Sequence, residues 1–245
     1  VRKNKGIYIG SRTSPKGSSR ACLCWDTNTY SISCCDGDIR SQGIGNITGI
    51  APAPVNTPLT DATFNQAITD ILAEDPNGDY DLVPYGKIQD WDVSQVTNMR
   101  EAFSETNFNG DISNWNVSQV TTMAYMFYDN ENFNQDISSW NTGSVITMEG
   151  MFQGALAFDQ PMGFLDVSNV TNMYGMFQGA FLFNQDIGSW ITGNVNNMAY
   201  MFSFASNFNQ DLSSWDVVNV SNCFDFSNST PNWNLPKPNF TNCTP

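Results

Sequence analysis

Four cysteines crowd the first part of the chain: Cys22, Cys24, Cys34 and Cys35, spaced C-x-C-x9-C-C. Four thiolates can hold zinc, although two close C-x2-C knuckles are the stronger signature. The alternatives are disulfides, which staple small loop-rich segments, and free thiols. If 22–25 and 31–35 pair as a hairpin, Cys24 and Cys34 face each other and Cys22 and Cys35 do not. Cys223 and Cys243, at the other end, are natural partners for pinning the tail onto the last repeat. A set of oxygen ligands alternates in "DPNGDYD": Asp75, Asn77, Asp79 and Asp81. A calcium loop carries its glycine at the sixth position and a glutamate at the twelfth, and neither is in place here. A polar turn is the simpler reading. The chain has no histidine, so it lacks the commonest general base and metal ligand. No phosphate-binding loop is present, and a carboxylate-pair glycosidase is the enzymatic chemistry left open. The residues point to a protein that is not an enzyme and has no cofactor, with zinc at the cysteines and calcium at 75–81 as the exceptions to examine.

The strongest signal is one that positions residues rather than reacts them. "FNGDISNW" (108–115), "FNQDISSW" (133–140), "FNQDIGSW" (183–190) and "FNQDLSSW" (208–215) are near-copies. Trp91, Trp115, Trp140, Leu165, Trp190 and Trp215 mark one register, with a period of 25 after a first step of 24. Phe103, Phe127, Phe152, Phe177 and Phe202 keep step with them, as do a Val, a Met and a second Phe in each of the first five units; in the sixth, Cys223 replaces the Met and Ser227 the first Phe. A period of this length implies single coils of a solenoid, none able to bury its own apolar residues alone. Large apolar side chains contribute about 2 kcal/mol each when buried. Within a unit, "NQDIS" reads as a short strand in a parallel ladder and "VTTMAYMF" as a short helical turn. Asn109, Asn134, Asn184 and Asn209 can stack as an amide ladder, and Asp111, Asp136, Asp186 and Asp211 can bond backbone N–H groups at turns.

The flanks differ. Residues 1–50 form a basic, Cys-rich segment suited to attachment, and 51–58 read as an Ala/Pro linker. Residues 59–90 hold an amphipathic cap helix near 61–74 and a loop, with Phe64, Ile68, Ile71 and Leu72 on one face. The repeats occupy 91–226, and 227–245 are a Pro/Asn-rich cap or tail. Net charge is −14, and it is uneven. Residues 1–40 carry seven basic against three acidic side chains, whereas 88–226 carry Arg100 alone against fifteen acids. The acidic part repels nucleic acid and anionic membrane. No stretch approaches the roughly 20 apolar residues of a bilayer span, so membrane insertion is not expected. No signal peptide or anchor is visible.

The segments "YGKIQDWDVSQVTNMREAF", "WNVSQVTTMAYMF" and "FNQDISSW" closely resemble the BspA-like leucine-rich-repeat surface proteins of bacteria, over about 59–226. The resemblance implies an α/β repeat solenoid of leucine-rich-repeat type, with short parallel strands and short helical turns. It implies exposure on a surface and a role in adhesion or assembly, and it carries over no catalytic residues. The segment "KGIYIGSRTSPKGSSRACLCWDTNTYSISCCDG" resembles leaders of phage-encoded proteins. A virion surface needs no signal peptide, so an extracellular virion surface is expected over a bacterial cell surface. The partners expected are proteins, either neighbouring structural subunits or a host receptor, and homo-oligomers fit the same reading.

Overall fold

A computed structural model describes residues 58–73 and 85–245, with the backbone alone of 22–23, 30–31, 74 and 81–82. The chain divides into two compact units, Val1–Pro52 and Ala53–Pro245. In the first, β1 (Cys22–Leu23) and β2 (Tyr30–Ser31) pair antiparallel, with Cys22 opposite Ser31 and Leu23 opposite Tyr30. The expected facing of Cys24 and Cys34 falls outside these paired residues. Cys24, Cys34 and Cys35 themselves lie outside the described residues, as does the side chain of Cys22.

The second unit opens with α1 (Asp61–Glu74). Phe64, Ala67, Ile68 and Ile71 fall at helical spacing and are all buried, so one apolar stripe decides which face turns inward. Thr60 starts the helix: its N–H donates to Thr63 Oγ1 at 2.8 Å, and the Thr63 hydroxyl donates back to the Thr60 carbonyl. The Phe64 ring meets Trp115 edge-on at 5.6 Å, which sets the helix against the first repeats. A two-residue antiparallel pair, β3 (Asp81–Leu82) with β4 (Gly86–Lys87), and a 3-10 turn at Ile88–Asp90 lead into Trp91.

From there each repeat is bonded to the next. Parallel bridges join Asn98 to Thr122, Thr122 to Thr147, Thr147 to Asn172, Asn172 to Asn197 and Asn197 to Asn222. Beyond each bridge, alternate N–H groups cross to the following repeat. Met123 donates to Thr147, Tyr125 to Glu149, Phe127 to Met151 and Asp129 to Gln153, at 2.7–3.1 Å. The intervening ones, Met126, Tyr128 and Asn130, donate three residues back within their own repeat. This corrects the expected division of labour. The backbone ladder runs through "VTTMAYMFYD", where a helical turn was expected, and "NQDIS" forms no strand.

The reason is the backbone conformation. Each repeat has two left-handed residues four apart, at Glu101 and Glu105, Tyr125 and Asp129, Gly150 and Gly154, Gly175 and Gly179, Tyr200 and Phe204, and Asp225 and Ser229. A left-handed residue every fourth position rules out a helix and aims alternate amides at the neighbouring repeat.

"NQDIS" is wired through side chains instead. Asn109 Oδ1 accepts the Asn134 N–H at 2.9 Å and the Gln135 amide at 3.1 Å. Asn134 does the same for Asp159 and Gln160, Asp159 for Asn184 and Gln185, and Asn184 for Asn209 and Gln210. The amide ladder therefore runs from side chain to next backbone, with glutamine as the second donor, rather than from Asn to Asn. Asp111, Asp136, Asp186 and Asp211 each accept an N–H two residues on and close the turn.

The core is aromatic. Phe127 stacks on Phe133 within its repeat at 3.7 Å and on Phe152 of the next at 5.4 Å, and Phe152, Phe177 and Phe202 continue the column. Trp115, Trp140, Trp190 and Trp215 each donate their indole N–H to a carbonyl of the preceding repeat at 2.8–3.1 Å. Rings stack from Trp91 to Trp115 and from Trp190 to Trp215, and Leu165 holds the same register between Trp140 and Trp190. The first repeat is one residue short between Phe103 and Phe108. Asn130, buried above it where later repeats carry Ala155, Ala180 and Ala205, donates to Phe103 O, Thr106 Oγ1 and Phe108 O. The tail keeps the register too. The N–H of Asn234 donates to Asn209 Oδ1, Trp233 packs on Phe208 at 4.7 Å, and Phe240 packs on Phe226 at 4.9 Å. Cys223 and Cys243 are joined by a disulfide.

Candidate functional site

Within one ladder segment, core-facing and outward side chains alternate unevenly. Met123, Met126 and Phe127 are buried, whereas Tyr125 and Tyr128 are half-buried and Asp129 is exposed. The left-handed positions make the outward face. The Tyr125 ring lies across Gly150 of the next repeat, where any Cβ would collide with it, and the Asp129 carboxylate lies likewise over Gly154. Glycine at those two sites gives the larger neighbours a floor.

On this floor the contacts run from repeat to repeat. The Arg100 guanidinium sits 4.9 Å over the Tyr125 ring and pairs with Glu101 at 3.0 Å. The Tyr125 hydroxyl donates to Glu149 Oε1 at 2.7 Å, and Asn172 Nδ2 donates to Glu149 Oε2 at 3.2 Å. Burial, with the Glu149 hydrogen bond second, pushes the Tyr125 phenol up to about 12. A hydrogen bond to Asp129, then that carboxylate's charge, raises Tyr128, with Glu105 adding a smaller push. Further along, Tyr174 meets Tyr200 at 5.6 Å and Tyr200 meets Phe224 at 5.4 Å, both edge-to-face. Phe224 is 56% and Phe204 49% exposed, high for such large apolar rings. The face thus grades from acid and tyrosine in the early repeats to bare aromatic in the late ones.

The residues singled out from the sequence sit elsewhere. Trp91, Trp115, Trp140, Leu165, Trp190, Trp215, Phe127, Phe152, Phe177 and Phe202 are buried in one core and hold the repeats together. Asp75, Asn77 and Asp79 lie outside the described residues, and of Asp81 only the backbone in β3 is described. Among the described residues no group of three or more His, Cys, Asp or Glu is placed to hold a metal, and no helix is long and apolar enough to cross a membrane. A shallow depression of about 350 Å³ lies beside Trp91, lined by Asp90, Asp92 and Asn116 among others. Asp92 is occupied there by the Ser94 N–H at 3.0 Å.

Periodicity alone missed the outward aromatics. The signal was present as the variable letters between invariant Met and Phe: "MAYMF", "MYGMF" and "MAYMF".

A family model described as "Mycoplasma protein of unknown function, DUF285" matches residues 80–180 and 161–242. No curated protein and no solved structure matches the chain significantly.

Proposed function

From the premise that the chain belongs to the DUF285 family, we propose that it is a non-enzymatic, surface-displayed repeat protein whose work is adhesion or structural assembly. Membership is compatible with a BspA-like surface repeat protein. The fold reading that goes with it is a leucine-rich-repeat-like solenoid. Its support is the constant one-repeat offset of the ladder, from Thr121 N–H to Thr97 O through Ser221 N–H to Asn196 O. The observation that carries the function is the outward face of that ladder. Arg100, Tyr125, Glu149, Tyr174, Tyr200 and Phe224 form one run of side chains that contact or neighbour one another across successive repeats. A long face that grades in chemistry suits an extended protein partner better than a small substrate.

The finer reading is display on a virion, as a decoration or appendage component that meets neighbouring subunits or a host receptor, with residues 1–50 as the attachment segment. Their positive charge against the acidic repeats suits an acidic partner surface. Mass spectrometry of purified particles tests this. Stoichiometric presence, lost when residues 1–50 are deleted, is the expected result. Absence from particles together with surface labelling of intact bacterial cells would overturn the virion reading in favour of a cell-surface adhesin.

A further inference from the structure

We propose that the early-repeat part of the ladder face docks a cationic segment of a protein partner, seating arginine or lysine heads on tyrosine rings between carboxylates. This deepens the display function above by naming the partner's chemistry.

The chain shows one such seat already filled by itself. Arg100 lies over Tyr125 and pairs with Glu101. Beside it, Tyr128 packs edge-on against Tyr125 at 5.8 Å, its carbonyl accepts the Glu105 N–H at 2.7 Å, and Asp129 follows it in the chain. That second seat likewise sets a tyrosine ring beside carboxylates, but among the described residues no ion pair reaches Glu105 or Asp129. Glu105 and Asp129 are both exposed, so a partner cation reaches them without displacing a packed group.

The charge balance selects the partner. Between residues 88 and 226, Arg100 is the sole cation against fifteen acids, so the face attracts cations at long range and repels polyanions. A guanidinium is weakly hydrated and stacks on aromatic rings, so it loses little on leaving water for such a seat. Phe204 and Phe224, exposed farther along, offer apolar contacts for the same segment. At about 4.8 Å per repeat and 3.3 Å per extended residue, roughly seven residues would run from Arg100 to Phe224.

The test is fluorescence anisotropy of a labelled peptide of alternating arginine and glycine, titrated with the full chain at low salt. It is indifferent to where the protein is displayed, so its failure does not bear on the display function. Glu105→Gln with Asp129→Asn should weaken binding about five-fold or more, and Tyr128→Leu, which keeps every charge, about three-fold. Asp136→Asn with Asp186→Asn removes the same charge in the turns before Trp140 and Trp190, outside this face, and keeps the turn acceptors. It should change affinity by less than about two-fold. Circular dichroism checks that each variant is folded. Equal losses in the two double variants would reduce the effect to net charge and overturn the proposal. So would no binding by the parent chain, no effect of Tyr128→Leu, or self-association of the chain abolished by the face variants.

Discussion

The Asp61 carboxylate accepts the Thr97 backbone N–H at 2.7 Å, the Thr97 hydroxyl at 2.7 Å and the Asn98 N–H at 3.1 Å. In every later repeat the first of those amides donates to a carbonyl of the repeat before: Thr121 to Thr97, Ile146 to Thr121, Thr171 to Ile146. The first repeat has no predecessor, and one side chain of α1 takes that place. The helix therefore does more than shield apolar surface. It also gives the Thr97 and Asn98 N–H groups at the open edge of the ladder an acceptor that no preceding repeat can supply.

Asp61→Ala should cost about 1–3 kcal/mol, the price of partly buried N–H groups left without an acceptor, and Asp61→Asn should cost less because one acceptor survives. Urea unfolding of both variants measures this. Burial alone would raise the Asp61 carboxyl, but its hydrogen bonds from Thr97 and Asn98 together hold it below the usual 3.8. A carboxyl depressed in the folded state adds stability that is complete above its unfolded value and is lost as pH falls through the folded one. The parent chain should therefore lose more stability than Asp61→Asn below about pH 4.

Tyr85 and Tyr125 work in the opposite direction. Burial first, then hydrogen bonds to Asp70 and Glu149, push both phenols up to about 12. A group raised in the folded state contributes stability that is complete below its unfolded value, near about 10, and that disappears as pH climbs through the folded value. Unfolding midpoints should fall between about pH 10 and 12, and the double variant Tyr85→Phe, Tyr125→Phe should flatten that fall. A slope unchanged in the double variant would contradict the assignment.

Gly150 and Gly175 occupy equivalent left-handed positions, at φ of 56° and 58°. An alanine pays about 1–2 kcal/mol for that conformation at either site. At Gly150 the new Cβ would also strike the Tyr125 ring, whereas at Gly175 the nearest atom is the Gln178 amide oxygen at 3.3 Å. Gly150→Ala should therefore be the more destabilising, and Tyr125→Ala should bring the two into line. Thermal unfolding of the three variants and the Gly150–Tyr125 double checks this.

The disulfide between Cys223 and Cys243, with Cα atoms 5.8 Å apart, closes a segment with a sequence separation of 20 residues. On loop entropy it contributes about 3 kcal/mol. Cys223→Ser with Cys243→Ser should lower the unfolding midpoint accordingly. It should also raise amide exchange first around Trp233 and Phe240, which that segment presses onto the last repeat.

What the sequence determined by itself is equivalence. A period of 25 says which residues share an environment, and apolar identity says which of them are inside. That is enough to put Trp115, Phe127 and Phe152 in one core, because burial depends on side-chain type and is repeated in every unit. It also suffices for the Asp111-type turns, whose hydrogen bonds span two residues and are local. The tertiary structure decided where the backbone pairs. Every repeat holds the same amides, and periodicity cannot say whether a given N–H turns to its own repeat or to the next. That choice rests on the left-handed pairs, and it is written with glycine in only two repeats. Elsewhere Glu101, Tyr125, Tyr200 and Phe204 hold the same conformation without any local preference for it, because the stacked neighbour supplies the hydrogen bond that offsets the strain. For the same reason the outward face, Asp61's place at the ladder edge and Asn130's repair of the short first repeat came into view only when residues 22 to 37 apart were brought into contact.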